Sequence, residues 1–363
     1  MVDTTEARTH VGSPLHTMTQ TTPTALWNDS ADPAELRTAI AWGAVGATCN
    51  PVIALAAIRA DQRRWETRIA EIAAERPTAG ESEIGWRVVE EVSLEAARLL
   101  EPAFAEHRGR NGRLSMQTDP RLRRSASALA DQAEYFASLA PNIIVKIPAT
   151  AVGVEAIEEA TYRGVNINVT VSFSVPQAMA AGHAIERGLR RREDDGLDVS
   201  GIGPVVTIMV GRLDDWLKEV VARDGLDIDP GHLEWAGVAA VKRAYRLFQE
   251  HGLRARVLAA AYRNQLQWTE LVGGDLVLSP PFGWQQKFQA SGIEPTSRID
   301  VPVDTEIISS LERITDFRRA YEPDGMTPSE FDDFGATRKT LRQFLAADEE
   351  LDQLVRDVIT PAP

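Results

Sequence analysis

The sequence predicts an α/β chain closed into a single (β/α)8 barrel, with extra helices and a C-terminal helical tail. Three observations predict it. Eight short apolar runs recur along the 363 residues without polar alternation, the pattern of parallel strands buried on both faces. Longer helical stretches separate the runs, and eight such alternations suit a (β/α)8 barrel. No Gly-x-Gly-x-x-Gly follows the first run, which weakens the alternative of a doubly wound open sheet.

The runs lie at 25–28, 46–49, 114–118, 143–147, 165–170, 205–209, 255–260 and 275–278. A helix is expected at 33–41, because Asp32 offers an N-cap, Pro33 opens the helix and Glu35 sits three residues after the cap. Residues 52–74 and 82–106 read as a long helical insertion. Further helices are expected at 121–139, 153–161, 175–193, 211–223, 234–251 and 262–271. The charge run at 190–195 reads as a solvated helix end. A Pro-rich stretch at 295–305 leads into a helical tail at 306–357, expected to pack on the barrel. Residues 1–23 are Thr-rich, contain Asp3 and Glu6 and lack an apolar core. They are expected to be a disordered arm, not a signal peptide, so the barrel with its tail occupies 24–363.

Composition narrows the partners. With 39 Lys+Arg against 53 Asp+Glu the net charge is −14, which disfavours nucleic acid and anionic membranes. The uncharged stretch 38–58 holds Gly43, Gly46, Asn50 and Pro51, so it reads as helix end, strand and helix start, not as a membrane span. One cysteine, Cys49, builds neither a disulfide framework nor a cysteine zinc site, and the six histidines lack metal-ligand spacing. No metal is expected, and a reducing cytoplasm is the simplest home. Only five residues are lysines, and Lys146 is the only lysine among the first 217 residues.

In such barrels chemistry sits where strands end. The fourth run places Lys146 between Val145 and Ile147. Burial lowers a lysine's pKa and frees its amine to attack carbonyls, which arginine cannot do; the competing reading is a snorkelling or ion-paired lysine. Asp29 ends the first run as a general acid/base or a cap, although Asp32 already fills the capping role. Asn50 before Pro51 is either an N-cap or a substrate hydrogen bond. Asn168 and Thr170 share one face of the fifth run and could orient substrate or water, or satisfy loop backbone. Gln117 ends the third run and can hold a water. Arg212 and Arg263 lie just past the sixth and seventh runs, where such barrels commonly bind phosphate.

These strand ends resemble the transaldolase family of class I Schiff-base aldolases, from about Thr24 to Leu351. The resemblance rests on Trp-Asn-Asp-Ser at 27–30, Ala-Thr-Cys-Asn-Pro at 47–51, Val-Lys-Ile-Pro-Ala-Thr at 145–150 and Asn-Ile-Asn-Val-Thr at 166–170. It extends to Val-Gly-Arg-Leu-Asp-Asp-Trp at 210–216, Tyr-Arg-Asn at 262–264 and the segment 331–344. It implies a Schiff base between Lys146 and a ketose carbonyl, with Asp29 taking the C4 hydroxyl proton. It implies that Asn50 and Asn168 hold hydroxyls, that Thr170 positions a water, and that Arg212 and Arg263 grip a phosphate beside Thr207. A dihydroxyacetone unit would pass between sugar phosphates, as in the pentose phosphate pathway, with no cofactor because the iminium is the electron sink. Oligomeric state stays open, with a homodimer compatible.

Three positions depart from the family pattern. Gln117 stands where most transaldolases carry a glutamate, and an amide orients water but does not transfer protons. Met209 stands where an aromatic is usual, and Thr207 replaces the usual serine. The related fructose-6-phosphate aldolases also have glutamine at the first position, paired with a tyrosine on the sixth strand. Aldol chemistry on a related ketose and simple sugar-phosphate binding are therefore the alternatives.

Overall fold

The structure is a computed structural model and describes residues 12–362. Eight parallel strands close into a barrel in chain order. They are β1 (Ala25–Asn28), β2 (Ala44–Thr48), β3 (Arg113–Gln117), β4 (Ile143–Pro148), β5 (Ile167–Thr170), β6 (Val205–Met209), β7 (Arg256–Ala260) and β8 (Val277–Ser279). Pairing of Ala25 with Val277 closes the ring. The (β/α)8 reading holds, and each apolar run contains a strand within a few residues of its predicted limits.

Two apolar clusters show which way each strand faces. Ala25, Trp27, Ile144, Val205, Leu258, Ala260 and Val277 form one buried group, the filling of the barrel. Their neighbours Leu26, Val145, Val206, Ala259 and Leu278 join the large outer core instead. Successive side chains along a strand point to opposite faces, so this split fixes the inward positions of each strand. The Trp27 indole fits because a Cβ on Gly46 would lie 2.5 Å from its ring.

Most helices follow expectation, including Pro33–Ala41, where Asp32 Oδ1 accepts from the Ala34 and Glu35 amides. The stretch 38–58 is helix end, strand and helix start. Among the described residues no helix is long and apolar enough to cross a membrane.

Several expectations need correction. The 52–74 helix is two, Pro51–Ala60 and Gln62–Glu75, because Asp61 leaves helical geometry at φ −130°, ψ 53°. The 121–139 helix begins at Ala126 with Ser125 as its cap, after a 3-10 turn at Pro120–Leu122. The 262–271 helix shrinks to Leu266–Thr269. Phe282–Ala290 is a helix that periodicity did not reveal. In the expected arm, Pro14–Thr21 is a helix with Leu15 and Met18 fully buried. Its Leu15 amide donates to Gln289 Oε1 at 3.0 Å, and Trp268 Nε1 donates to Met18 Sδ at 3.3 Å. Packing against distant residues overrides the arm's polar composition; residues 1–11 lie outside the described residues.

The tail packs on the barrel. Its last helix, Gly335–Ile359, meets helices Pro51–Ala60, Glu81–Glu106 and Val210–Asp224. Arg121 reaches Asp348 at 2.8 Å and Arg356 reaches Glu81 at 3.0 Å. This long helix therefore spans from the insertion after β2 to the loop after β6.

Candidate active site

The inward parity of each strand carries to its C-terminal end. Two residues beyond inward Trp27 comes Asp29; two beyond Ile144 comes Lys146; two beyond Val205 comes Thr207. The same step from Val277 gives Ser279. Strand register places Gln117, Lys146 and Asn168 side by side on three neighbouring strands, with Thr170 level with Pro148. Strand parity and register together place these groups around one barrel mouth.

Lys146 is 5% exposed. Among the described residues its Nζ makes no hydrogen bond or ion pair. Burial holds its pKa below the ordinary lysine value; the Asp29 charge opposes that shift, and Arg212 adds to it. Lys146 thus combines a depressed pKa with an uncommitted amine, the two properties a carbonyl nucleophile needs. Neighbouring Cys49 is buried and its thiol is pushed up to about 11 by that burial, so it stays protonated and does not compete.

Asp29 is half-buried and accepts a short hydrogen bond from Thr48 Oγ1 of β2. Its amide donates to Pro280 O at 3.3 Å, tying β1 to β8. Asn168 is clamped from both sides. It donates to Ser115 Oγ at 2.9 Å and accepts from Thr207 Oγ1 at 2.7 Å. Thr207, at an inward position of β6, thus donates its hydroxyl to Asn168 inside the barrel. Asn50 is the N-cap of Pro51–Ala60, with Oδ1 accepting the Ile53 amide at 3.0 Å. The capping reading of Asn50 is therefore correct for its oxygen, which leaves its amide nitrogen for a ligand.

Arg212 and Arg263 are brought together by Gly211. A Cβ there would lie 2.2 Å from Ala261 O and 2.5 Å from Arg263 Cγ, so only glycine lets the loops after β6 and β7 touch. Arg263 Nε donates to Asp215 at 2.9 Å. Its backbone amide donates to Gln267 Oε1 at 2.5 Å, and Gln267 Nε2 in turn donates to buried Asp214 at 2.5 Å. Arg212 Nη1 reaches across to the tail helix, to Gln343 at 2.6 Å and Thr340 at 3.3 Å. Burial, and then the Arg263 charge, lower the Arg212 pKa. Two neighbouring guanidiniums, one of them largely buried, favour an anion between them.

Several of the buried polar atoms without partners lie at this same end. Gln117 Oε1, Ser172 Oγ, Arg212 Nε, Tyr262 Oη and Ser279 Oγ all lack a hydrogen bond. Each such group costs about 1–3 kcal/mol when left unmade, and five around one mouth fit a polar ligand. Backbone strain sits here too. Val171 and Ala261 hold φ of 49° and 63°, a left-handed conformation that a β-branched residue such as Val171 rarely adopts. These residues directly follow Thr170 and precede Tyr262.

Residue-by-residue reasoning missed Tyr262, Ser115, Thr48 and Ser279. The signal was present for Ser115, Thr48 and Ser279, which are inward-parity positions on their strands, whereas Tyr262 lies past β7 and left-handed Ala261 and joins the outer core, so no strand rule reaches it. Tyr262 is buried and packs edge-on against Phe288, with ring centroids 6.2 Å apart. Burial, then the Asp29 carboxylate, hold its hydroxyl well above the usual tyrosine range, so it is a neutral donor. Tyr262→Phe keeps the ring contact and removes an unpartnered hydroxyl. The expected outcome is an unchanged or slightly raised melting temperature with turnover lowered about tenfold, one hydrogen bond's worth of transition-state energy.

Residues 26–329 match the family model described as Transaldolase/Fructose-6-phosphate aldolase. The chain belongs to this family. Among proteins similar to this member of the transaldolase/fructose-6-phosphate aldolase family is Transaldolase 1 of Streptomyces avermitilis, 33% identical over 208 residues, which are 57% of this chain and 54% of that one. The Transaldolase of Kocuria rhizophila is 30% identical over 208 residues, 57% of this chain and 56% of its own length. That of Thiobacillus denitrificans is 35% identical over 158 residues, 43% of this chain and 44% of its own. The matches thus span about half the length of these relatives.

Proposed function

We propose that this protein transfers a dihydroxyacetone unit between sugar phosphates through a Schiff base on Lys146. The observation that carries the reading is the uncommitted, buried Lys146 amine beside Asp29 in a mouth that also holds Arg212. The neutral amine attacks the C2 carbonyl of a ketose phosphate, and loss of water gives an iminium. Asp29 takes the C4 hydroxyl proton as the C3–C4 bond breaks. The bonding pair passes into a C2–C3 enamine, and the iminium nitrogen is neutralised. An aldose phosphate leaves, a second one enters, and the same steps reverse onto its aldehyde. Asn168, held by Ser115 and Thr207, offers its amide to the three-carbon unit, and the free Asn50 nitrogen adds a second contact. Arg212 and Arg263 take the phosphate. Thr170 and Gln117 hold the water released and consumed at C2.

Gln117 supports a second reading. Its amide cannot relay the proton that hydrolysis of the iminium needs, and its Oε1 has no partner. Glutamine at this position is nonetheless shared with the related fructose-6-phosphate aldolases, so on this reading the chain is an aldolase whose release of the three-carbon unit, which needs that same hydrolysis, is slow. Incubation with fructose 6-phosphate, with and without erythrose 4-phosphate, separates the two. Transfer requires the acceptor, whereas free dihydroxyacetone without acceptor identifies the aldolase. Gln117→Glu is expected to raise the rate of Schiff-base formation and hydrolysis by about tenfold or more, the scale of general acid–base catalysis. Stopped-flow mixing with the ketose checks this, and no change or a loss would give the glutamine its own role.

A further inference from the structure

A second basic cleft lies at the same end of the barrel, outside the site just described. Its volume is about 660 Å³, and Arg123, Arg124, Arg338 and Arg342 line it with a single carboxylate, Asp332. Arg123 and Arg124 follow the 3-10 turn after β3, and the cleft also touches Val152 at the start of the helix after β4. That places the cleft at the C-terminal end of the strands. Arg338 and Arg342 come from the tail helix.

The charges here are only partly compensated by the protein. Arginines elsewhere in the chain are mostly ion-paired, as Arg68, Arg163 and Arg254 are. Among the described residues, the side chains of Arg123, Arg124 and Arg342 make no ion pair or hydrogen bond, while Arg338 pairs with Asp333. Asp332 receives the Ala151 amide and faces the Arg123 charge, so it offsets one of the guanidiniums. Four guanidiniums against Asp332 and Asp333 therefore leave the cleft net positive on a chain of net charge −14, with Arg124 and Arg342 uncompensated. Leu341 and Leu345 give it an apolar side.

We propose that this cleft binds the diphosphate group of a small molecule. Guanidiniums make paired, charge-assisted hydrogen bonds to phosphate oxygens, and several converging arginines match two linked phosphates better than one. The site is joined to the substrate end by the tail helix, which presents Arg338 and Arg342 to the cleft and Thr340 and Gln343 to Arg212. Occupancy of the cleft thus steadies the stretch of helix that holds Arg212. The proposal does not rest on the Schiff-base reading, because binding itself is measured.

Calorimetric titration of the full chain with inorganic pyrophosphate, orthophosphate and ADP tests it. Pyrophosphate is expected to bind below about 1 mM at low salt, at least tenfold tighter than orthophosphate. The exposed double variant Arg124→Gln/Arg342→Gln is expected to weaken it at least tenfold, whereas Arg263→Gln leaves it unchanged. ADP binding tighter than pyrophosphate would support the site and assign it to an organic diphosphate; equal or weaker binding would support it and assign the inorganic one. Absence of binding at 5 mM pyrophosphate, full binding by the double variant, or loss of binding in Arg263→Gln would overturn the proposal.

Discussion

Lys146→Met is expected to abolish turnover and at the same time to make the protein more stable at neutral pH. Loss of the nucleophile should lower activity by roughly 10⁴-fold or more, as removal of a covalent catalyst does elsewhere. The stability gain follows from burial. The unfolded chain holds its lysine at the ordinary value of about 10.5, while burial depresses the folded value. Between the two values the unfolded state binds the extra proton, so wild-type stability rises with pH across that window. Below the folded value the wild type carries the full penalty, and methionine removes it while filling a similar volume. A gain of about 1–3 kcal/mol at pH 7 is the expected scale for replacing a buried charge with an apolar side chain. Thermal melts of both proteins across the alkaline range check this. The wild-type curve should rise toward the variant's, and wild-type turnover should rise with pH through the same folded value.

Asp29→Asn is expected to separate the two halves of the reaction. On the proposed mechanism the amine of Lys146 should still form the iminium, since that step does not use the C4 hydroxyl. Cleavage of C3–C4 should fall roughly 10²- to 10⁴-fold, the usual contribution of a positioned general base. The covalent species that accumulates should then carry the whole ketose phosphate, not the three-carbon unit. Mass spectrometry of the reduced adduct distinguishes the two. The fold should persist, because Asp29 is half-buried at a strand end and its amide bond to Pro280 does not involve the side chain.

Much of the barrel was legible because its strands obey one rule. A run buried on both faces must be apolar throughout, so a lone lysine inside one, as at Lys146, stands out. The same rule with a step of two residues leads from Trp27 to Asp29 and from Val277 to Ser279. Partners contributed from far along the chain were not legible. Nothing local tells that Thr207 bonds Asn168, or that Gln343 of the tail meets Arg212. The helix at 262–271 failed for a related reason. The segment after β7 is held open by Ala261 in a left-handed conformation and by the Gln267 to Asp214 contact, and tertiary restraint there overrides helical pattern. Pro14–Thr21 was missed because its polar composition hides two apolar anchors, Leu15 and Met18.

The central claim is that Lys146 forms a Schiff base with a ketose phosphate, and borohydride trapping tests it most directly. The protein is incubated with fructose 6-phosphate, reduced, digested and mapped by mass spectrometry. A reduced three-carbon or six-carbon adduct on the peptide containing Lys146, absent from Lys146→Met, is the predicted result. An adduct on another lysine, or none on Lys146 with any ketose phosphate, would contradict it.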